Sequence, residues 1–476
     1  MPRCFQEYDQ RCVKDLNGIW DFVYLGDIDP DSIDIKTLNF DDRMTVPGCF
    51  DATPAYAGLR GLAAYRRWIR FGDCSTHRLI FKGVNHWCSV FLDGVLIGHH
   101  AGGFTGFHYD LLDPGPGIQE LIVLVDNRID YDRCPLHMDY FDWYHFGGIT
   151  RDVEIHRLGD TWIDGLSVTT EAVQPPTILV EIAYGTVSGP GSTRLQLTWD
   201  GKQHLDELVE LVGSYGILTR RIQLPGASLW SPDAPNLHML HVFLGDDDRR
   251  ERIGIRKIKV RGKHLLINDQ PIHLIGFNRH ESHPQFGCSQ PEALLLSDIQ
   301  QLRDLGCNFL RGSHYPQDQR FLDLCDETGI CVWSESIGWQ HTAEHLMDPS
   351  FINAQKRHID EMISTATNHA SVIIWGLLNE SHSHDKSCLP GYRDLVSHIR
   401  ETDPTRPITY ASNHPFDDLN FDLVDIISIN SYPGWYGGDI SDIPDSLDAI
   451  LDHLDNTVRA SKPVIISEIG AGAVPG

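Results

Sequence analysis

The chain has 476 residues, 41% of them apolar and 22% charged. That is the composition of a globular protein with about three domains, and it excludes a disordered, collagen-like or coiled-coil chain. Acidic residues outnumber Lys plus Arg by 66 to 39, for a formal charge of -27. Such a surface repels phosphate backbones and anionic lipid, so nucleic-acid and membrane partners are set aside in favour of a small or neutral one.

The first ten residues, Met1 to Gln10, lack the apolar run of a signal peptide, and stretches such as Leu121 to Val125 are too short to span a bilayer. A soluble, unexported chain is expected. The eleven cysteines are odd in number, lie mostly in apolar contexts and form no CxxC pair. Scattered thiols in a reducing cytoplasm explain them better than a disulfide framework or a zinc ribbon.

From the N-terminus to about residue 258 the sequence alternates with period two and is punctuated by turn residues, which predicts two all-β domains. Ser89 to Leu92 and Val95 to Gly98 flank Asp93-Gly94, the pair a tight hairpin turn favours. A polar stretch from Arg157 to Thr161 marks the break, giving domains at 1–159 and 160–259. In the second, Leu195, Leu197 and Trp199 share one strand face. That domain, with its last strand at Met239 to Leu244, is the size of an immunoglobulin-like sandwich.

Beyond Arg261, in a third domain at 260–476, short apolar strands alternate with amphipathic helices, the pattern of a βα array on a parallel sheet. Helices are predicted from Pro291 to Leu305 and from Ser446 to Ala460, the latter with an apolar face of Leu447, Ile450, Leu451, Leu454 and Val458. Seven strands are predicted: Ile272–Gly276, Phe309–Arg311, Cys331–Ser334, Ile373–Leu378, Ile408–Ala411, Ile426–Ile429 and Val464–Ser467. A (β/α)8 barrel has eight. Because Gly476 comes eight residues after Glu468, a TIM barrel truncated after strand seven is the expectation.

Catalytic groups in such barrels stand at the C-terminal ends of strands, and three predicted strands end in glutamate: Glu335, Glu380 and Glu468. Glu380 and Glu468 are separated by about three βα units of roughly 30 residues, which suits strands four and seven of one ring. Two convergent carboxylates are what glycosidic cleavage requires, one to protonate the leaving oxygen and one to attack or support the anomeric carbon.

Asn379-Glu380 after Asn368-His-Ala-Ser-Val-Ile-Ile-Trp, Ser467-Glu468 after Lys462-Pro-Val-Ile-Ile, Gly276-Phe-Asn-Arg-His-Glu, Arg311-Gly-Ser-His-Tyr-Pro and Leu229-Trp-Ser-Pro-Asp-Ala-Pro together resemble glycoside hydrolase family two, the β-galactosidase and β-glucuronidase family. The resemblance covers nearly all of the chain. It implies an N-terminal jelly-roll sugar-binding domain, the sandwich and a catalytic TIM barrel. It also implies a retaining mechanism with Glu468 as nucleophile and Glu380 as general acid/base, Asn379 holding the sugar 2-hydroxyl. The run from Asn430 through Tyr432 to Tyr436 and the motif around Asp142 resemble the β-glucuronidase branch, so these residues are expected at the sugar. Asn278-Arg-His-Glu-Ser-His-Pro and Asn379-Glu-Ser are similar to β-galactosidases. His280 and His314 are expected to line the pocket and donate to hydroxyls, with Arg311 and Glu335 supporting the site.

The function these readings predict is an exo-β-glycosidase of terminal β-hexuronides, glucuronide preferred, acting on a glycoside or oligosaccharide without cofactor or metal, as a homo-oligomer. Two alternatives stay open: a β-galactosidase or β-galacturonidase of the same family, and a noncatalytic carbohydrate-binding protein. A zinc reading of His341-Thr-Ala-Glu-His345 is disfavoured because Gly338 and Pro349 leave room for only a short helix. His382 and His384 have no third ligand at convincing spacing.

Overall fold

The computed structural model describes residues 6–72, 76–457 and 461–470. The alternating sequence up to residue 158 folds as two facing antiparallel sheets. The first has six strands in the order Asp42–Val46, Gly18–Gly26, Leu62–Phe71, Gly117–Asp126, Trp87–Leu92 and Val95–Ala101. The second has four, Cys12–Asp15, Val153–Leu158, Thr76–Phe81 and Phe107–Leu112. Inward side chains of both, among them Trp20, Phe22, Tyr65, Phe81, Val123 and Ile155, form one core. The expected hairpin is present: Leu92 pairs with Val95, and Asp93 and Gly94 both have positive φ, as a two-residue turn of this hand demands.

A second pair of sheets follows. Thr161–Val173, Pro176–Thr186 and Tyr215–Gln223 pack on a four-stranded sheet whose last members are His238–Leu244 and Asp247–Ile253. Leu195, Leu197 and Trp199 are buried together as their alternation requires. The sheet therefore runs one strand further than Met239 to Leu244. The Asp246-Asp247-Asp248 run has the charge of a solvated turn, yet Asp247 and Asp248 are buried and paired with Arg11 and His241.

Seven parallel strands, ordered one to seven without crossover, form the last sheet: Gly276–Arg279, Phe309–Gly312, Cys331–Glu335, Val372–Asn379, Ile408–Ser412, Ile427–Asn430 and Val464–Glu468. Strand one starts four residues later than its apolar run suggests. That run is used differently: the Ile272 N–H bonds to the Leu265 carbonyl of a small sheet at Ile258–Arg261, His264–Ile267 and Gln270–Pro271. Ile258, Leu265 and Ile267 pack with Phe309, Trp333 and Ile374, closing the barrel's lower end. At Gly276 a Cβ would lie 1.7 Å from the Phe309 carbonyl oxygen, so strand one meets strand two only through glycine.

Helices α1 (Glu292–Asp304), α2 (Gln319–Thr328), α4 (Pro349–Ala366), α5 (Leu389–Thr402) and α6 (Ile443–Asn456), with the short α3 (Ala343–Met347), cover the sheet. Leu295, Ile299 and Leu302 of α1 are buried as expected. In α6 Ile450 and Leu454 carry the contact, whereas Leu451 is exposed; Val458 lies outside the described residues. Strands one and seven are not paired with each other. A cavity of about 420 Å³ lies between them, bridged by the Asn278 amide donating to the Ser467 carbonyl at 3.0 Å. Among the described residues no helix is long and apolar enough to cross a membrane.

Candidate active site

The C-terminal ends of strands two, three, four, six and seven converge on one hydrogen-bonded network. Arg311, at the end of strand two, is buried against Trp333 and points its planar fork across the barrel mouth. It donates to both oxygens of Glu335 at 2.9 and 3.1 Å, to Glu468 Oε1 at 2.6 Å and to Asn379 Oδ1 at 2.9 Å. A guanidinium has five fixed donors and no acceptor, so it can order three strand ends at once.

Asn379 and Asn430 form the next layer. Asn430 Nδ2 donates to Asn379 Oδ1 at 3.1 Å and to Glu380 Oε1 at 2.9 Å, while its own oxygen accepts from Ser467 Oγ at 2.8 Å. The Asn379 carbonyl is thereby saturated, and its amide N–H groups are left to donate into the site. Leu378 and Glu380 have φ of 50° and 49°, a region that non-glycine residues enter at a cost. The neighbouring backbone holds them there: Asn379 N–H bonds to Gly338 O at 2.7 Å, Gln340 N–H to Asn379 O at 2.8 Å and Glu380 N–H to Ala411 O at 2.9 Å.

The two glutamates sit in opposite electrostatic surroundings. Burial raises the Glu380 carboxyl above its ordinary value; Asn430 opposes this and the negative Glu468 adds to it. Burial acts the same way on Glu468, but the Arg311 guanidinium and the hydrogen bond from the Tyr432 hydroxyl outweigh it and hold that carboxyl below its ordinary value. Tyr432 donates to Glu468 Oε2, and its hydroxyl proton is held correspondingly tightly. Two carboxyls whose environments drive them apart are equipped for separate acid and anion roles.

His314 Nδ1 is 2.9 Å from Glu335 Oε1, and its Nε2 is 3.9 Å from Glu468. Nδ1 also lies 3.2 Å from Arg311 Nη2, so the ring is held between the guanidinium and the Glu335 carboxylate. Burial brings both His314 and His280 down to about 3, so both rings are neutral. His280 lies near the Tyr315 hydroxyl at 3.3 Å and packs on His314 and Trp143. Asp142 stands at the rim, its carboxyl raised by partial burial and by the charge of Glu468. Tyr436 is 81% exposed and touches the site through the ring of Tyr432 at 5.3 Å.

Three contributors have no signal in strand periodicity. Trp143, beside Asp142, packs on His280, His314 and Trp339 and so forms a wall of the site from the N-terminal domain. Gln340 reaches Glu380 Oε2 at 3.4 Å from a loop with φ of 52°. Ser467 orients Asn430. The His341–His345 pattern does not present two ligands on a helix: His341 precedes the five-residue α3, and His345 Nδ1 accepts the Thr342 N–H of its cap.

Residues 258–476 match the model of the glycosyl hydrolases family 2 TIM barrel domain. A crystal structure of a family 2 β-galacturonidase from Eisenbergiella tayi bound to galacturonate superposes with a TM-score of 0.92 at 33% identity, over 100% of this chain and 84% of that one. The chain belongs to glycosyl hydrolase family 2. Among other relatives, a β-glucuronidase of Mus musculus is 28% identical over 99% of this chain and 79% of its own length. The structure of Bifidobacterium dentium β-glucuronidase complexed with coumarin-3-O-glucuronide gives a TM-score of 0.89 at 26% identity, covering 98% of this chain and 85% of that one. Membership of family 2 makes the chain a glycoside hydrolase.

Proposed function

We propose that the protein removes terminal β-hexuronides by double displacement. Glu468 attacks the anomeric carbon to form a covalent glycosyl-enzyme, and Glu380 protonates the leaving oxygen and then activates water. The observation that carries this reading is the opposite environment of the two carboxyls within one Arg311–Asn379–Asn430 network. Glu468, paired with a guanidinium and a phenol, is an anion oriented for attack. Glu380, desolvated and beside that anion, keeps its proton for the leaving group.

Asn379 would donate to the sugar 2-hydroxyl, a contact that strengthens as the ring acquires oxocarbenium character. Asp142, His280, His314, Tyr432 and Tyr436 would surround the sugar, and Glu335 would hold Arg311 and His314 in place. In the same reading residues 1–159 are a jelly roll, 160–259 an immunoglobulin-like sandwich and 260–476 the catalytic barrel of a cytoplasmic homo-oligomer. The start of the family match at residue 258 and the two separate β cores support those boundaries.

Glucuronide is the preferred sugar in this reading, on the Asn430 to Tyr436 run and Asp142. Galacturonide is the second reading, favoured by the 33% identity to a structure bound to galacturonate. Initial rates on nitrophenyl β-glucuronide, β-galacturonide and β-galactoside, with and without chelator, test both. The hexuronides should have the higher kcat/KM, and a preference for the β-galactoside overturns the assignment.

A further inference from the structure

Outside the barrel mouth, His86, His137 and His145 come together in the N-terminal domain. Their relative exposures are 0%, 1% and 1%, and their ring centroids are 4.6 to 5.9 Å apart. One nitrogen from each lies within 4.8 Å of the others. Neither ring nitrogen of His86 or His145, nor Nε2 of His137, has a partner in good hydrogen-bond geometry, although His86 feels the nearby His145 backbone carbonyl, while His137 Nδ1 accepts the Asp130 N–H at 3.2 Å. Buried polar groups are ordinarily satisfied, so five poorly partnered nitrogens in one spot need an explanation.

We propose that these three histidines bind a divalent zinc ion that fastens the segment carrying Asp142 to the N-terminal β-sandwich. Imidazole nitrogens are suitable zinc donors, and three of them fill three corners of the tetrahedron that zinc prefers. Burial keeps all three rings neutral, which is the form that ligates; His137 is brought down to about 4. Zinc–nitrogen bonds of about 2.0–2.1 Å require the rings to close in, and His137 gives up its Asp130 contact as its ring proton moves to Nδ1. Arg60, which donates to the carbonyl of His145, opposes a dication, and Asp51 and Asp130 offset it.

The sequence between the ligands supplies the reason for an ion here. Residues 127–147 contain no helix or strand, a length at which a loop needs some other constraint. His137 and His145 bracket Asp142 and Trp143 in that loop, and His86 adjoins the strand Trp87–Leu92. An ion shared by the three would fix both sides of the loop to the sheet, setting the rim residue and the aromatic wall of the site.

The whole chain, stripped with chelator and titrated with zinc, should bind one zinc per chain by native mass spectrometry and melt several degrees higher. Cobalt in its place should give the visible spectrum of a tetrahedral nitrogen site. His86→Ala and His145→Asn should lose the ion and the spectrum, whereas His264→Ala, at an exposed position of the small sheet, should keep both. If those two variants fail to fold, X-ray absorption on the zinc-loaded wild type must count three imidazoles. No stoichiometric zinc on folded wild type, fewer than three imidazoles, or unchanged binding in the folded His variants overturns the proposal. None of these readouts uses hydrolysis, so they stand apart from the proposed reaction.

Discussion

Arg311 holds Glu468 at 2.6 Å and Glu335 at 2.9 Å with one guanidinium, and Glu335 is 0% exposed. The buried Glu335 carboxyl, which burial raises above its ordinary value against the pull of Arg311, fixes where Arg311 points, and Arg311 is the largest influence holding Glu468 below its own. Lysine, a point charge without the fork, cannot serve three strand ends.

Arg311→Met should therefore fail twice. Removing one partner of a buried pair leaves Glu335 uncompensated, which costs about 3–5 kcal/mol, and Glu468 loses its main counter-charge. Urea unfolding reads the first loss and kcat the second. A variant of wild-type stability would show that Glu335 is satisfied without Arg311.

If Glu468 and Glu380 hold the proposed roles, they should separate kinetically. Glu468→Gln should abolish turnover on every substrate. Glu380→Ala should lose roughly a hundred- to ten-thousandfold on alkyl glycosides that need protonation, but spare the first step on nitrophenyl glycosides. Equal losses on both substrate types would defeat the assignment.

The pH profile of kcat/KM follows from the directions of the two shifts. Glu468, held low, stays ionised below the usual carboxylate range, so the acid limb should fall late. Glu380, held high, stays protonated above that range, so the alkaline limb should lie above it. Tyr432→Phe removes a donor from Glu468 and should move the acid limb to higher pH. Stability has the matching signs: the Glu468 contribution is present above its unfolded value and is lost as pH falls. Charging Glu380 as pH rises opposes folding.

Gly276→Ala should destabilise the barrel by about 1–3 kcal/mol, because its Cβ meets backbone that cannot rotate away. Gly262→Ala, in a turn with open space but φ of 57°, provides a comparison in which only backbone strain is added. Denaturant midpoints distinguish the two, and equal midpoints would remove close packing as the cause.

Sequence periodicity by itself determined the two all-β units, six of the seven barrel strands, and the placing of Glu335, Glu380 and Glu468 at strand ends, because period-two and period-3.6 burial patterns are local properties of the chain. Strand one was misplaced for a physical reason: Ile272 to Ile275 is apolar whether it builds the barrel or seals its floor, and only the pairing of Ile272 with Leu265 decides. Asp247 to Ile253 was missed because a strand whose charges are paired at a domain junction looks solvated in one dimension. The site divides in the same way. A glutamate after an apolar run is visible in sequence, but which carboxyl is held low depends on Arg311, Asn379, Asn430 and Tyr432 arriving from three other strand ends and a loop. Trp143 comes from another domain altogether and meets His280 and His314 only in the folded chain. Electrostatic environment is a sum over neighbours in space, so the tertiary fold alone could set it.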